Sequence, residues 1–160
     1  MLLQALALLA LVASLWVLFR FAMGLRASKL AREQARAAAE AKGARVVAEV
    51  PLAEGLLFVV EDAVGFSWGA RQVAKDQIEG VRQLLNGALV ASFSRPGASL
   101  PEPAMPEPVE GRERWEVAIH LRDGRTAAVP CGTLREGVSR EIAARVYAAV
   151  RGAIERPRSS

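Results

Sequence analysis

The chain opens with an apolar run, residues 1–19, that contains no charged side chain and only two polar ones, Gln4 and Ser14. At about 1.5 Å per residue, a helix through this run and on to Leu25 would cross a hydrocarbon core of about 30 Å. A cleaved signal peptide is less favoured, because no Lys or Arg precedes the run and no Ala-x-Ala site follows it. A buried helix is disfavoured too, because the remaining chain is too short to surround it. The pattern predicts an uncleaved transmembrane anchor over residues 1–25.

Positive charge follows the apolar run and does not precede it. Through Arg45 the chain has seven Lys and Arg against two Glu, and after it fourteen against fifteen acids. Lys and Arg are retained on the cytoplasmic side, which predicts a single-pass protein of the inner (plasma) membrane with its N-terminus outside and its C-terminal domain cytoplasmic. The basic cluster either serves only as this topology signal or also attracts anionic lipid. The predicted membrane-interface residues are Trp16, Arg20, Arg26, Lys29 and Arg32.

Residues 26–43 are Ala-rich, have no Pro, and have Gly only at position 43, so they predict a juxtamembrane helical stalk that ends at Gly43. After Gly43 the period changes from helical to alternating, which predicts short strands. Asn86-Gly87 is the preferred pair for a type I′ hairpin, and Asp123-Gly124 is a second hairpin signal. The predicted strands are 46–50, 56–60, 63–68, 71–74, 81–85, 88–93, 115–121 and 125–130.

The last element is predicted to be an amphipathic helix. Ile142, Val146, Val150 and Ile154 recur every four residues, and Arg and Glu occupy the other side. Ser139 is the predicted N-cap, and Thr133 with Glu136 offers an alternative start. We expect this stripe to be buried together with the side chains of Trp68, Trp115 and Ile119.

A Pro-rich segment, residues 94–111, separates two of the predicted strands and holds five of the eight prolines of the chain. Proline cannot pair in the interior of a sheet, so the segment predicts an extended loop. It is either a plain insertion or a polyproline-type docking segment.

Six or seven short antiparallel strands followed by one amphipathic helix resemble a bacterial pleckstrin-homology-like domain. The stretch FVVEDAVGFSWGARQVAKDQIEGVRQL (58–84), with Asp76, Ile78 and Val81, is similar to the middle of that family, and EVAIHLRDGRTAAVP (116–130) is similar to its late hairpin. The resemblance implies an α+β fold in which a small antiparallel β-barrel, residues 44–156, is closed by a C-terminal α-helix and followed by a tail, 157–160. Headgroup-binding members carry Lys and Arg where this chain has Glu61-Asp62, so we expect this domain to bind protein and not lipid headgroups.

Few side chains of this sequence suggest catalysis. The single histidine, His120, is expected to face solvent or a cross-strand neighbour, and Cys131 is expected to be a small buried hydrophobe without a disulfide partner. Glu61-Asp62 is interpreted as a solvated turn and not as a metal site. The sequence has no C-x-x-C, H-E-x-x-H, Walker or G-x-G-x-x-G motif, so we expect no catalytic, cofactor or metal site.

These patterns predict a single-pass, membrane-anchored cytoplasmic interaction or scaffold module that binds a protein partner. The alternative is a self-associating sensor or assembly subunit that acts through the stalk and the membrane helix. A weaker alternative is an envelope enzyme with an unrecognised site. The β domain, residues 44–156, has fifteen acids and fourteen Lys and Arg, and we expect no nucleic-acid partner.

Overall fold

The structure, a computed structural model, describes residues 43–52, 55–102, 113–132 and 136–156, together with scattered positions among the first 42. The chain divides into two compact units, Met1–Lys42 and Gly43–Ser160. In the first unit every described position from Ser14 to Glu40 is helical.

No helix within the described part of the chain combines the length and the hydropathy needed to cross a membrane. The predicted transmembrane anchor and the single-pass inner-membrane localisation are therefore contradicted. Of residues 1–25 only Ser14, Trp16 and Arg20 are described, and the rest of the predicted span lies outside the described residues.

The second unit contains two antiparallel four-stranded sheets and one long helix, so it is mostly β. Sheet A has the strand order β1-β2-β3-β4, and sheet B has the order β6-β5-β7-β8. A 3-10 helix, Lys75–Gln77, links the two sheets. The elements are β1 (Arg45–Leu52), β2 (Gly55–Glu61), β3 (Gly65–Trp68), β4 (Arg71–Ala74), β5 (Ile78–Leu85), β6 (Ala88–Ser94), β7 (Trp115–Leu121), β8 (Thr126–Pro130) and α1 (Glu136–Glu155).

The predicted closed barrel is wrong, because the described strands form two separate ladders. β5 takes β6 on one side and β7 on the other, which places β6 at an edge of sheet B. Sheet A approaches the opposite edge through a side chain: the indole Nε1 of Trp68 donates to the carbonyl of Ala128 at 3.2 Å. This single side-chain hydrogen bond joins β3, an inner strand of sheet A, to the edge strand β8 without continuing a ladder, so the sheets remain open.

Both predicted hairpins are confirmed. Asn86 and Gly87 have φ angles of 50° and 81°, and positive values at both central residues are what a type I′ turn requires. In the second hairpin the Asp123 carboxylate accepts the backbone N–H of Arg125 at 3.0 Å, and His120 pairs with Thr126.

The hydrophobic core lies between the two sheets and α1. The predicted stripe of α1 is confirmed, since Ile142, Val146, Val150 and Ile154 are all buried. Trp68, Trp115 and Ile119 are buried as well. The predicted N-cap at Ser139 is wrong: α1 begins at Glu136, and Ser139 is a buried residue within its first turns. The observed start at Glu136 is close to the alternative predicted start at Thr133 with Glu136. Thr133 itself lies outside the described residues.

Candidate functional site

A buried carboxylate stands at the end of β2. Glu61 is only 6% exposed, and its oxygens lie 2.7 Å from Arg45 Nη2 and 3.0 Å from Lys75 Nζ. Arg156 Nη2 lies farther away, at 3.7 Å. Burial alone raises the pKa of Glu61, but the hydrogen bonds from Lys75 and Arg45 outweigh it, so the pKa is lowered on balance. Glu61 is therefore a structural anion, and its prediction as part of a solvated turn is wrong.

Asp62 shapes the turn that follows. Its Oδ1 accepts the backbone N–H groups of Val64 at 2.8 Å and of Gly65 at 2.6 Å. This local bonding is typical of Asp in turns. The two acids thus have separate structural tasks. In the described residues no three His, Cys, Asp or Glu side chains are grouped so that they could hold a metal ion.

An open cleft of about 720 Å³ lies beside this cluster, at the end of α1. Its lining includes the cations Lys75, Arg95, Arg122 and Arg156 and the carboxylate of Asp76. Most of the positive charge is used within the protein. Lys75 pairs with Glu61, Arg122 pairs with Glu79 at 3.1 Å, and Arg95 donates to the carbonyls of Ile78 and Ile154. These contacts between cations and their partners therefore hold the sheets and the end of α1 together around the cleft.

His120 is on the face of sheet B that is turned away from the core. It is 6% exposed, so the solvent-facing alternative is wrong and the cross-strand alternative is confirmed, with Thr126 Oγ1 lying 3.0 Å from its Nδ1. Its Nε2 is buried, and no described residue forms a hydrogen bond with it. Burial, and then the nearby positive charge of Arg82, lower the pKa of His120.

Cys131 is fully buried, as predicted, and burial raises the pKa of its thiol to about 12. A thiol that stays protonated at neutral pH is a poor nucleophile. The backbone N–H of Cys131 donates to the carbonyl of Trp115, at the opposite end of β7 from His120. The structure therefore does not bring these two side chains together.

Three of the four sheet edges carry features that discourage pairing with another chain. β1 contains Arg45, Glu49 and Pro51. β4 has only four residues and begins with Arg71. β8 ends at Pro130, and its Ala128 carbonyl accepts the Trp68 indole. Charge, proline, short length and coverage are the usual protections of edge strands.

The edge of β6 has no charged residue, no proline and no glycine in its sequence ALVASFS. Leu89 and Val90 on it are 46% and 51% exposed. No described strand pairs with its outer side.

The ladder to β5 has a bulge at Val90, because Ala91 faces Gln83 whereas Leu89 faces Leu84. Residues 91–94 continue in regular register beyond the bulge. Sequence reasoning missed this surface, since the strand order decides which strand becomes an edge.

Two of the five predicted membrane-interface residues are described. Trp16 and Arg20 are exposed, and the guanidinium carbon of Arg20 lies 5.1 Å from the centre of the Trp16 ring. Arg26, Lys29 and Arg32 lie outside the described residues. A contact between residues four apart is ordinary on a helix surface, so the interface role of the five stays a prediction.

Comparisons with protein-family models, with curated proteins and with solved structures found no match to this chain. The resemblance to a pleckstrin-homology-like domain therefore stays a prediction.

Proposed function

We propose that this protein is an interaction module that binds a protein partner by pairing an extended segment of that partner with the edge of β6. The observation that carries the proposal is the contrast between β6 and the other three edges. An uncharged edge strand exposes backbone donors and acceptors that a second strand can satisfy. Such an edge also favours aggregation unless a partner covers it.

The geometry favours pairing beyond the bulge. Residues 91–94 keep regular register with β5, so their outward backbone groups suit a short antiparallel or parallel addition. The exposed side chains of Leu89 and Val90 lie next to this stretch and supply apolar area. Each backbone hydrogen bond contributes about 0.5–1.5 kcal/mol net, so a few bonds plus two apolar side chains suit a reversible complex.

The test uses the full chain with a photo-crosslinking amino acid at Ser92, expressed in its native cell. We expect an adduct whose crosslinked peptide maps to one short extended segment of a single partner. Val90→Lys should abolish the adduct, because a lysine at a strand edge disfavours strand addition. Val138→Lys is the matched control, since Val138 on α1 is 49% exposed and Val90 is 51% exposed. Equal adduct yields from the two lysine variants would refute the proposal.

A second copy of this chain is the alternative occupant. β6 has no charged side chain, so two copies could pair antiparallel about a two-fold axis without opposing like charges. Cys131 is buried, so in a Ser92→Cys variant position 92 would carry the only accessible thiol. Oxidative dimerisation of Ser92→Cys, absent from Val138→Cys, would identify the second copy as the occupant. Monomeric behaviour of both would exclude it.

A further inference from the structure

The segment that follows β6, residues 95–102, forms a strap across the outer face of sheet B. It is tied down at its beginning, where the backbone N–H of Arg95 donates to the Glu79 carbonyl at 2.8 Å. Farther along, Arg82 donates through Nη1 to the carbonyl of Pro101. Between these points Leu100 lies over Gly80, where an added Cβ would come within 2.7 Å of both Leu100 methyl carbons. The missing side chain of Gly80 thus leaves the space that Leu100 fills.

His120 lies beneath the strap. It is paired across the sheet with Gly80, and together with residues 98–101 it lines a cavity of about 250 Å³. Its Nδ1 is engaged by Thr126, but its buried Nε2 has no hydrogen-bond partner among the residues that the structure describes. A neutral imidazole leaves one polar atom unsatisfied there, whereas an imidazolium would leave a buried charged donor unsatisfied. Burying an unsatisfied charged donor costs much more free energy than burying an unsatisfied neutral atom.

The charged groups around His120 do not offset a positive charge on it. Arg82 approaches from β5, and the Nε of its guanidinium is also buried without a hydrogen-bond partner in the described ranges. Glu79 and Arg122 line the same cavity but are bonded to each other at 3.1 Å. Thr126 from β8 is uncharged, and residues 98–101 of the strap carry no charge. The charged residues of the strap are Arg95, which donates to the carbonyls of Ile78 and Ile154, and Glu102, which is exposed. Within the described part of the chain, protonation would therefore place a second cation near Arg82 with no free carboxylate facing it.

We propose that residues 95–102 form an acid-released latch, which closes over neutral His120 and opens when His120 is protonated. The strap is the part that yields, because it is held by a few separate contacts whereas β5 and β7 are held by a continuous ladder. Opening would give the imidazolium access to water. It would also release the segment that continues directly from the edge strand β6.

The direction of the pH effect follows from the environment of His120. The folded, closed state lowers the pKa of His120 below its ordinary value of 6.5. The latch is therefore fully closed above pH 6.5 and loses stability as the pH falls below that value. Acidification thus opens the strap, and a return to neutral pH closes it again.

The chain has one histidine, so its imidazole signals in an NMR titration of the isotope-labelled full chain belong to His120 alone. We expect a midpoint below 6.5, and the amides of Ser99 and Leu100 should shift and lose exchange protection with the same midpoint. Amides of β2 and β3 should not change in that step, which separates latch opening from acid unfolding. A midpoint at or above 6.5, or a titration that leaves the strap amides unchanged, would overturn the proposal.

Two glycine variants provide the matched comparison. Gly80→Ala places a methyl group 2.7 Å from the Leu100 methyl carbons and 3.1 Å from the Phe93 carbonyl oxygen. The Leu100 side chain is the contact that can move away, so the variant should hold the strap open and the His120 midpoint should rise towards 6.5. Gly152→Ala is the control, because nothing lies within 4 Å of its added Cβ. Leu100→Ser, which removes the side chain that fills the space over Gly80, should raise the midpoint in the same direction. A midpoint unchanged in Gly80→Ala and in Leu100→Ser would contradict the latch.

Discussion

The buried carboxylate of Glu61 allows a sharp test of how this fold is held together. We consider Glu61→Gln, which keeps the size and one acceptor oxygen but removes the charge. Lys75 then loses its charged partner while its own side chain is only 20% exposed. A hydrogen bond to a charged group contributes about 1.5–3 kcal/mol net. The contact with Arg45 adds little, because that side chain is 68% exposed. We expect a loss of about 2 kcal/mol in the free energy of unfolding.

The assay is urea unfolding of the full chain at pH 7, followed by tryptophan fluorescence, since Trp68 and Trp115 are buried in the folded state. Glu141→Gln is the matched control. Its partner Arg145 is four residues away on α1, and both side chains are more than half exposed. Such a pair contributes about 0.3–0.5 kcal/mol. A double-mutant cycle should give a coupling above about 1 kcal/mol for Glu61 with Lys75 and a smaller one for Glu61 with Arg45.

The pH dependence gives a second readout of the same interaction. Because the folded state lowers the pKa of Glu61 from 4.5, its contribution is fully present above pH 4.5 and is lost as the pH falls through the lowered value. The difference between the natural chain and Glu61→Gln should therefore shrink below pH 4.5. The reasoning is refuted if Glu61→Gln costs no more than Glu141→Gln at pH 7, or if their difference is independent of pH.

Three further outcomes follow from the core. Gly65→Ala should lower the free energy of unfolding by about 2 kcal/mol or more, because the added Cβ would lie 2.3 Å from the Val73 carbonyl oxygen. Gly137→Ala, whose added Cβ has nothing within 4 Å, should not lower it, and urea unfolding measures both variants. Cys131, with a pKa of about 12, should resist thiol reagents at pH 8 and react only as the chain unfolds, and rapid labelling under native conditions would contradict its burial. Val150→Ala should cost about 2 kcal/mol by leaving a cavity, and a loss below about 0.5 kcal/mol would count against a packed α1.

Local sequence was sufficient for the elements of the β domain. The alternation of apolar and polar residues, Asn86-Gly87 and the stripe of α1 predicted strands, hairpin and helix close to their observed bounds. Each of these depends on residues a few positions apart, because turn geometry and side-chain periodicity are local properties. Hydropathy over residues 1–19 was a weaker guide, since the predicted membrane span is contradicted within the described residues.

The positions of the polar side chains were decided by the tertiary structure. Glu61 was predicted to lie in a solvated turn, and His120 was predicted to face solvent or a cross-strand neighbour; both are only 6% exposed. Glu61 is buried because Lys75 and Arg45, fourteen and sixteen residues away, converge on it. His120 is buried because the strap after β6 folds across the sheet. Neither arrangement has a local signal, since it depends on which distant segments meet.

Tertiary structure also decided that β6 is an edge strand without a partner on its outer side among the described strands. The sequence ALVASFS predicts a strand but not its place in a sheet. β6 lies at an edge because β5, its one described neighbour, pairs on its other side with β7. The sequence by itself thus determined where strands, hairpins and the amphipathic helix occur, because these follow from local backbone geometry and periodicity. Only the tertiary structure decided the order of the strands, the buried charges and the exposed edge of β6, because these follow from contacts between segments far apart in the chain.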